Sequence, residues 1–208
     1  YIMAIRTANN QSLTEITALP SAVALGGMVL LETQTASGDS TISFTSNIDS
    51  TYKEYIFKFY NIHPASISYF SVNFSDDGGS NYDLTKTTTS FTAWHDEADT
   101  ATALQYRTAY DVAQGTGVSP LGGDTMGTTN DNCGDGYLHL FDPSSTTFVK
   151  HFISRFKPNY NAADGASPYS HDGFNAGYIN DTAAVTAVRF AMSTGNIDAG
   201  TIKMYGVT

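Results

Sequence analysis

The 208 residues carry 20 Asp and Glu against 10 Lys and Arg, a formal charge of −10, which excludes a phosphate backbone as partner because that binding rests on clustered cations. No apolar run reaches the ~18 residues of a membrane-spanning helix, and the single cysteine, Cys133, excludes an intrachain disulfide framework or a multi-cysteine zinc site. Asp outnumbers Glu 16 to 4, Ser and Thr total 47 and 26 residues are aromatic, a mixture that predicts many strands joined by polar turns.

The chain divides at residue 26. Met3-Ala4-Ile5 has the form of a natural start behind Tyr1-Ile2, and no basic region followed by an apolar stretch marks a secretory signal. Ser12-Leu13-Thr14-Glu15 has capping-box spacing, but a helix begun there meets Pro20 after little more than a turn. An extended arm is expected over 1–26 instead. Its apolar residues Leu13, Ile16, Leu19 and Val23 have no local core, so they are expected to pack on a partner chain.

From Met28 the apolar period becomes two, and residues 27–208 read as one domain. Thr41–Thr45 alternates cleanly. Tyr52–Ile62 sets Phe57 and Phe59 on one face against Ile56, Lys58 and Tyr60, and Pro64 stops it. Ile67–Phe74 alternates again and ends in Asp76-Asp77-Gly78-Gly79, a turn signal. Further strands are predicted at Tyr82–Trp94, Leu104–Tyr110, Tyr137–Phe141, Thr147–Phe156, Asn175–Asn180, Val185–Met192 and Thr201–Tyr205, with one more over Met28–Thr33. Two long loops, Asp111–Gly136 and Lys157–Gly173, interrupt them and are expected to be functional or ordered by a partner. The pattern predicts an all-β fold, an antiparallel β-sandwich or jelly roll with a short N-terminal arm.

Few motifs carry chemistry. Gly117-Val118-Ser119-Pro120-Leu121-Gly122 lacks the spacing of a nucleophile elbow, and no metalloprotease, P-loop or dinucleotide motif is present. The five histidines stand singly, and His139 and His151 read as hydrogen-bonded strand residues. His95-Asp96-Glu97-Ala98-Asp99 is the densest acid and base cluster. It reads as a turn after Trp94, with a glycosidase carboxylate pair as the competing reading. Asp76-Asp77-Gly78, Asp96/Glu97/Asp99 and Asp131/Asn132/Asp135 offer oxygen ligands for calcium without EF-hand spacing, which leaves the metal open. No cofactor is expected. Tyr110, Tyr160 and Tyr169, with Tyr106 and Tyr178, lie in or beside the long loops, where tyrosine stacks on sugar rings or anchors an interface; the first three are candidate ligand-binding residues.

Several stretches carry a resemblance: Asn10-Gln11-Ser12-Leu13-Thr14-Glu15-Ile16-Thr17-Ala18-Leu19-Pro20; Ile48-Asp49-Ser50-Thr51-Tyr52-Lys53-Glu54-Tyr55-Ile56-Phe57; Leu138-His139-Leu140-Phe141-Asp142-Pro143-Ser144; and the ending from Val188 to Val207. They resemble virion structural proteins of marine tailed phages. The resemblance implies a structural β-sandwich on a phage particle, as a capsid decoration protein or a tail appendage, and supplies no catalytic residues. The expected function is therefore a non-enzymatic virion component, anchored by its arm to other capsid or tail proteins. It is displayed in symmetric copies, a homotrimer by the usual symmetry of such positions. A carbohydrate-binding module that recognises a host surface glycan is the alternative, and a polysaccharide-cleaving jelly roll the third reading.

Overall fold

The computed structural model describes residues 27–160 and 168–208, and of Tyr160 the backbone alone. The arm residues Leu13, Ile16, Leu19 and Val23 lie outside the described residues. Twelve strands follow in chain order: β1 (Met28–Asp39), β2 (Thr41–Phe44), β3 (Glu54–Pro64), β4 (Phe70–Ser75), β5 (Lys86–Asp96) and β6 (Thr102–Tyr106), then β7 (Ser119–Pro120), β8 (Gly134–Phe141), β9 (Lys150–Tyr160), β10 (Tyr169–Ile179), β11 (Ala187–Met192) and β12 (Ile197–Val207). Among the described residues there is no helix, and so none long and apolar enough to cross a membrane.

The strands form two antiparallel sheets that pack as a sandwich. The large sheet has the order β1-β12-β3-β8-β9-β10-β5-β6 and the small one β2-β11-β4-β7. Four ladders nest inside one another: β1 with β12, β2 with β11, β3 with β8, and β4 with β7. Two hairpins extend the large sheet beyond this frame, β5-β6 inserted between β4 and β7, and β9-β10 between β8 and β11.

Alternation explains how the sheets hold together. In β3 the odd residues Tyr55, Phe57 and Phe59 point inward and are fully buried, while Lys58 and Tyr60 point out. Phe190 of β11 reaches from the small sheet to Phe57 and Phe59 of β3, with ring centroids 5.4 and 5.1 Å apart, and lies 5.6 Å from Phe70 of its own sheet. Each such buried aromatic contributes about 1.5–3 kcal/mol of transfer free energy, and the edge-to-face pairs fix their orientation.

The boundaries depart from the sequence reading in an informative way. The strand expected over Ile67–Phe74 begins at Phe70, that over Tyr82–Trp94 begins at Lys86, and that over Asn175–Asn180 begins at Tyr169. The loop Asp111–Gly136 is not free. Its backbone forms isolated bridges at Lys86↔Gly115, where β5 begins, and Ser68↔Met126, in the β3–β4 connection, and its residues Ser119–Pro120 form the edge strand β7 against β4. It runs as a strap over the inner face of β5 and β10. Gly122 and Gly173 touch backbone to backbone there: a Cβ on Gly173 would lie 2.2 Å from the Gly122 carbonyl oxygen. Glycine is required at such a crossing.

Candidate functional site

The strap stops short of one end of the sheet, and a cavity opens there. The register of β5 and β10 sets His171 opposite Trp94 and Tyr169 opposite Asp96, so the period of two brings Trp94, Tyr169 and His171 to one side. Tyr169 stacks on His171 at 4.6 Å between centroids, and Trp94 stands 5.8 Å from Tyr169 and 6.4 Å from His171. Arg107, just past β6, is held by its own N–H to the Ser90 carbonyl at 2.8 Å. Its guanidinium donates to Asp124 Oδ2 at 2.9 Å and lies 5.2 Å over the Tyr110 ring. Asp124 belongs to the strap and accepts the Thr125 N–H at 2.8 Å. Together with Gln105 these groups line about 170 Å³.

Electrostatics at the floor favour a neutral histidine. His171 is 2% exposed. Burial holds its imidazole below the ordinary range, with the Asp124 carboxylate opposing and Arg107 reinforcing the shift. Its Nε2 lies 3.8 Å from Asp124 Oδ2, too long for a hydrogen bond, and its buried Nδ1 has no hydrogen-bond partner among the described residues. Ser90 Oγ, Thr92 Oγ1 and Asn175 Nδ2, beneath the same strap, are also buried and have no partner among the described residues. A room with two aromatic walls, a guanidinium, a carboxylate and an amide suits a small polyhydroxylated ring better than an apolar ligand.

A second cleft of about 280 Å³ shares Tyr169 and reaches His95, Glu97, Lys157 and Asn159. Asp96 does not serve it as a free carboxylate. It accepts the Thr100 and Ala101 N–H groups at 2.9 Å each and the Thr100 hydroxyl, which holds its carboxyl below the usual range, the Thr100 hydroxyl acting most strongly. β5 runs on through His95 and Asp96, past the end at Trp94 that the sequence suggested, and the turn that joins it to β6 follows at 97–101. Asp99 has φ of +56° there, and His95 Nε2 meets its Oδ1 at 3.1 Å.

The other candidates are likewise engaged. Asp77 closes its own turn, accepting from Asn81 N–H at 2.9 Å and Ser75 Oγ at 2.7 Å, and its pKa falls to about 2 with the Asn81 amide as the leading cause. Asp135 Oδ1 accepts the Asn61 N–H at 2.9 Å. Among the described residues no group of three or more His, Cys, Asp or Glu side chains could hold a metal ion. Burial pushes the Cys133 thiol up, reinforced by Asp135, and neighbouring His63 already faces Asp198 at 3.4 Å and the Thr129 carbonyl at 3.2 Å. An activated thiolate needs the opposite environment. His139 pairs with Glu54, whereas His151 makes no side-chain hydrogen bond among the described residues and instead lies 6.2 Å from the Tyr178 ring.

Of the loop tyrosines, the structure brings Tyr110 and Tyr169 to this end, Tyr110 half-buried under Arg107 and Tyr169 in the cavity wall. Tyr160 contributes its backbone to β9, and its side chain lies outside the described residues. Tyr106 and Tyr178 are held by Asp111 and Gln114. Trp94, Arg107, Asp124 and His171 were not legible as a group, because a strand register and the strap bring them together and no sequence spacing does. No family model, curated protein or solved structure matches the chain.

Proposed function

We propose that the chain is a non-enzymatic structural protein of a phage particle, a capsid decoration or tail-appendage sandwich attached through residues 1–26 and displayed in symmetric copies. The observation that supports this most is the nesting of ladders, β1 with β12, β2 with β11, β3 with β8 and β4 with β7. That is how an antiparallel ribbon folds when it wraps into a jelly roll, an architecture that recurs in viral capsid and lectin domains. Among the described residues, the stretches that resemble virion proteins include strands that are neighbours in the large sheet, β12, β3 and β8, while the ending also contributes β11 to the small sheet. Co-sedimentation with phage particles, with and without residues 1–26, tests the attachment.

A second reading has its own support. The cavity bounded by Trp94 and Tyr169, with Gln105, Arg107 and Asp124 at its rim, has the chemistry of a sugar subsite, which would make the sandwich a receptor-binding module for a host surface glycan. Trp94 is the chain's single tryptophan, so selectively excited tryptophan fluorescence reports on this cavity. Titration with a panel of monosaccharides should quench or shift it, and Arg107→Ala should remove the response. A flat signal across the panel would rule this reading out.

A further inference from the structure

Five buried side-chain nitrogen and oxygen atoms have no hydrogen-bond partner among the described residues, and four of them lie together: Ser90 Oγ, Thr92 Oγ1, His171 Nδ1 and Asn175 Nδ2. The register of β5 and β10 explains the grouping, since Ser90 stands opposite Asn175, Thr92 opposite Gly173 and Trp94 opposite His171. Alternation turns them to the inner face, where they form a polar floor that runs on from the cavity at Trp94 and Tyr169. Native folds leave few such groups unpaired, because each gives up its hydrogen bonds to water and gains none. Four beneath one segment call for a partner that the closed chain does not supply.

The roof over this floor is residues 122–125 of the strap. Both its ends are anchored in the core: the Leu121 and Met126 N–H groups donate to the Phe70 and Ser68 carbonyls at 2.8 Å each, and both side chains are buried. Between those anchors the segment makes no backbone–backbone hydrogen bond among the described residues. Gly122 and Gly123, at φ of +96° and +66°, carry it through a turn that other residues rarely adopt. Its ties are those of Asp124, to the Arg107 guanidinium at 2.9 Å and the Tyr110 hydroxyl at 3.5 Å, while the Thr125 N–H closes on Asp124 itself. The roof rests directly on the floor: a Cβ on Gly123 would run into Thr92 Cγ2 and come within 3.4 Å of Ser90 Oγ. With the roof down the cavity holds about 170 Å³, below the ~300–1,000 Å³ of ordinary ligand pockets.

We infer that 122–125 is a lid and that the floor beneath it is the inner half of the sugar site, where Ser90, Thr92, Asn175 and His171 bond the ring hydroxyls of a sugar set beside Trp94. The lid lifts about its buried anchors when Asp124 parts from Arg107, and the floor groups then gain in the ligand the partners they lack in the closed chain. Hydroxyl, amide and imidazole groups offer both donors and acceptors, the complement of neighbouring sugar hydroxyls that each donate and accept. Behind Asn175 the floor is closed, because its Oδ1 accepts the Ser119 hydroxyl at 3.3 Å. A glycan therefore enters end on and presents its terminal residue.

The inference rests on the receptor-binding reading of this cavity and names the groups that select the sugar. Trp94 fluorescence is titrated with glucose, galactose, mannose and N-acetylglucosamine in the wild type and in Thr92→Val, Ser90→Ala and Tyr82→Phe. Thr92→Val and Ser90→Ala should each weaken the best-bound sugar ~10-fold, the loss of one hydrogen bond. Neither should lower the urea midpoint, since the closed chain makes no hydrogen bond with those side-chain oxygens among the described residues. Tyr82→Phe removes the fifth unpartnered atom, in the β4–β5 connection outside the lid, and should bind as the wild type does. In stopped-flow mixing the observed rate should level off with sugar concentration, at the rate of lid opening. Equal affinity in the wild type, Thr92→Val and Ser90→Ala, an equal loss in Tyr82→Phe, or a rate that climbs linearly throughout would overturn the lid and its floor. Those results would leave the receptor-binding reading standing. A wild type that responds to none of the four sugars would remove that reading, and this inference with it.

Discussion

Lys86 opens β5 with its ammonium out of solvent, held by Asn73 Oδ1 at 2.7 Å and the Leu84 and Thr116 carbonyls at 3.1 and 3.4 Å. Burial pushes its pKa from 10.5 down to about 8, and Asp83 opposes the shift in part. Between those values the unfolded chain holds a proton that the folded chain has shed. Stability therefore rises with pH from about 8 to about 10.5, and the gain is lost as pH falls through 8. The swing is about 3 kcal/mol at most. Urea unfolding at pH 7.5, 9 and 10.5, compared with Lys86→Met, isolates it from tyrosine titration and from Lys150, whose pKa burial also lowers. The difference between the two proteins should climb with pH in the wild type's favour. A constant difference would show that the amine titrates as in the unfolded chain. At neutral pH the methionine variant should stay within ~1 kcal/mol, because Asn73 Oδ1 keeps the Phe74 N–H at 3.0 Å and a well-packed apolar replacement of a buried charge is often neutral.

Among the elements, the strap depends most on a single contact. Gly173→Ala puts a methyl against the Gly122 backbone, which no side-chain rotation can relieve, and overpacking of this kind costs about 1–3 kcal/mol. Val112 and Gly115 donate their N–H groups to Thr88 Oγ1 at 2.9 Å and the Lys86 carbonyl at 3.1 Å, so their amide exchange should accelerate in the variant while the β3 amides stay protected. The same strap explains what the sequence hid. β3, whose Phe57 and Phe59 face the opposite sheet, alternates apolar with polar residues and was legible within two residues at each end. The first half of β10 presents His171, Gly173 and Asn175 inward, where the strap covers it, so it reads as loop. A half-buried strand is recognised by its apolar face, and a strand roofed by backbone and glycine has none. The cavity stayed hidden for the same reason. Its aromatic wall could be suspected from Tyr169, but Arg107, Asp124 and His171 come from three elements that only the register and the strap unite.

On the scale of the whole molecule, the sandwich is joined by Phe190, whose ring meets phenylalanines of both sheets. Phe190→Ala removes it at full burial and should cost about 3–5 kcal/mol, read by urea unfolding as a lower midpoint at unchanged slope. A loss under ~1 kcal/mol would mean that the sheets are held together elsewhere. The described residues hold a buried cluster that spans both sheets, so 27–208 should fold without 1–26, and removal of the arm should leave the melting temperature within a few degrees. On the proposed function, the arm attaches the protein and the sandwich is displayed. Co-sedimentation of both proteins with phage particles stripped of this chain tests that division most directly. The full chain should bind saturably while 27–208 stays in the supernatant with its spectrum unchanged; binding of 27–208 with equal affinity, or of neither protein, would contradict it.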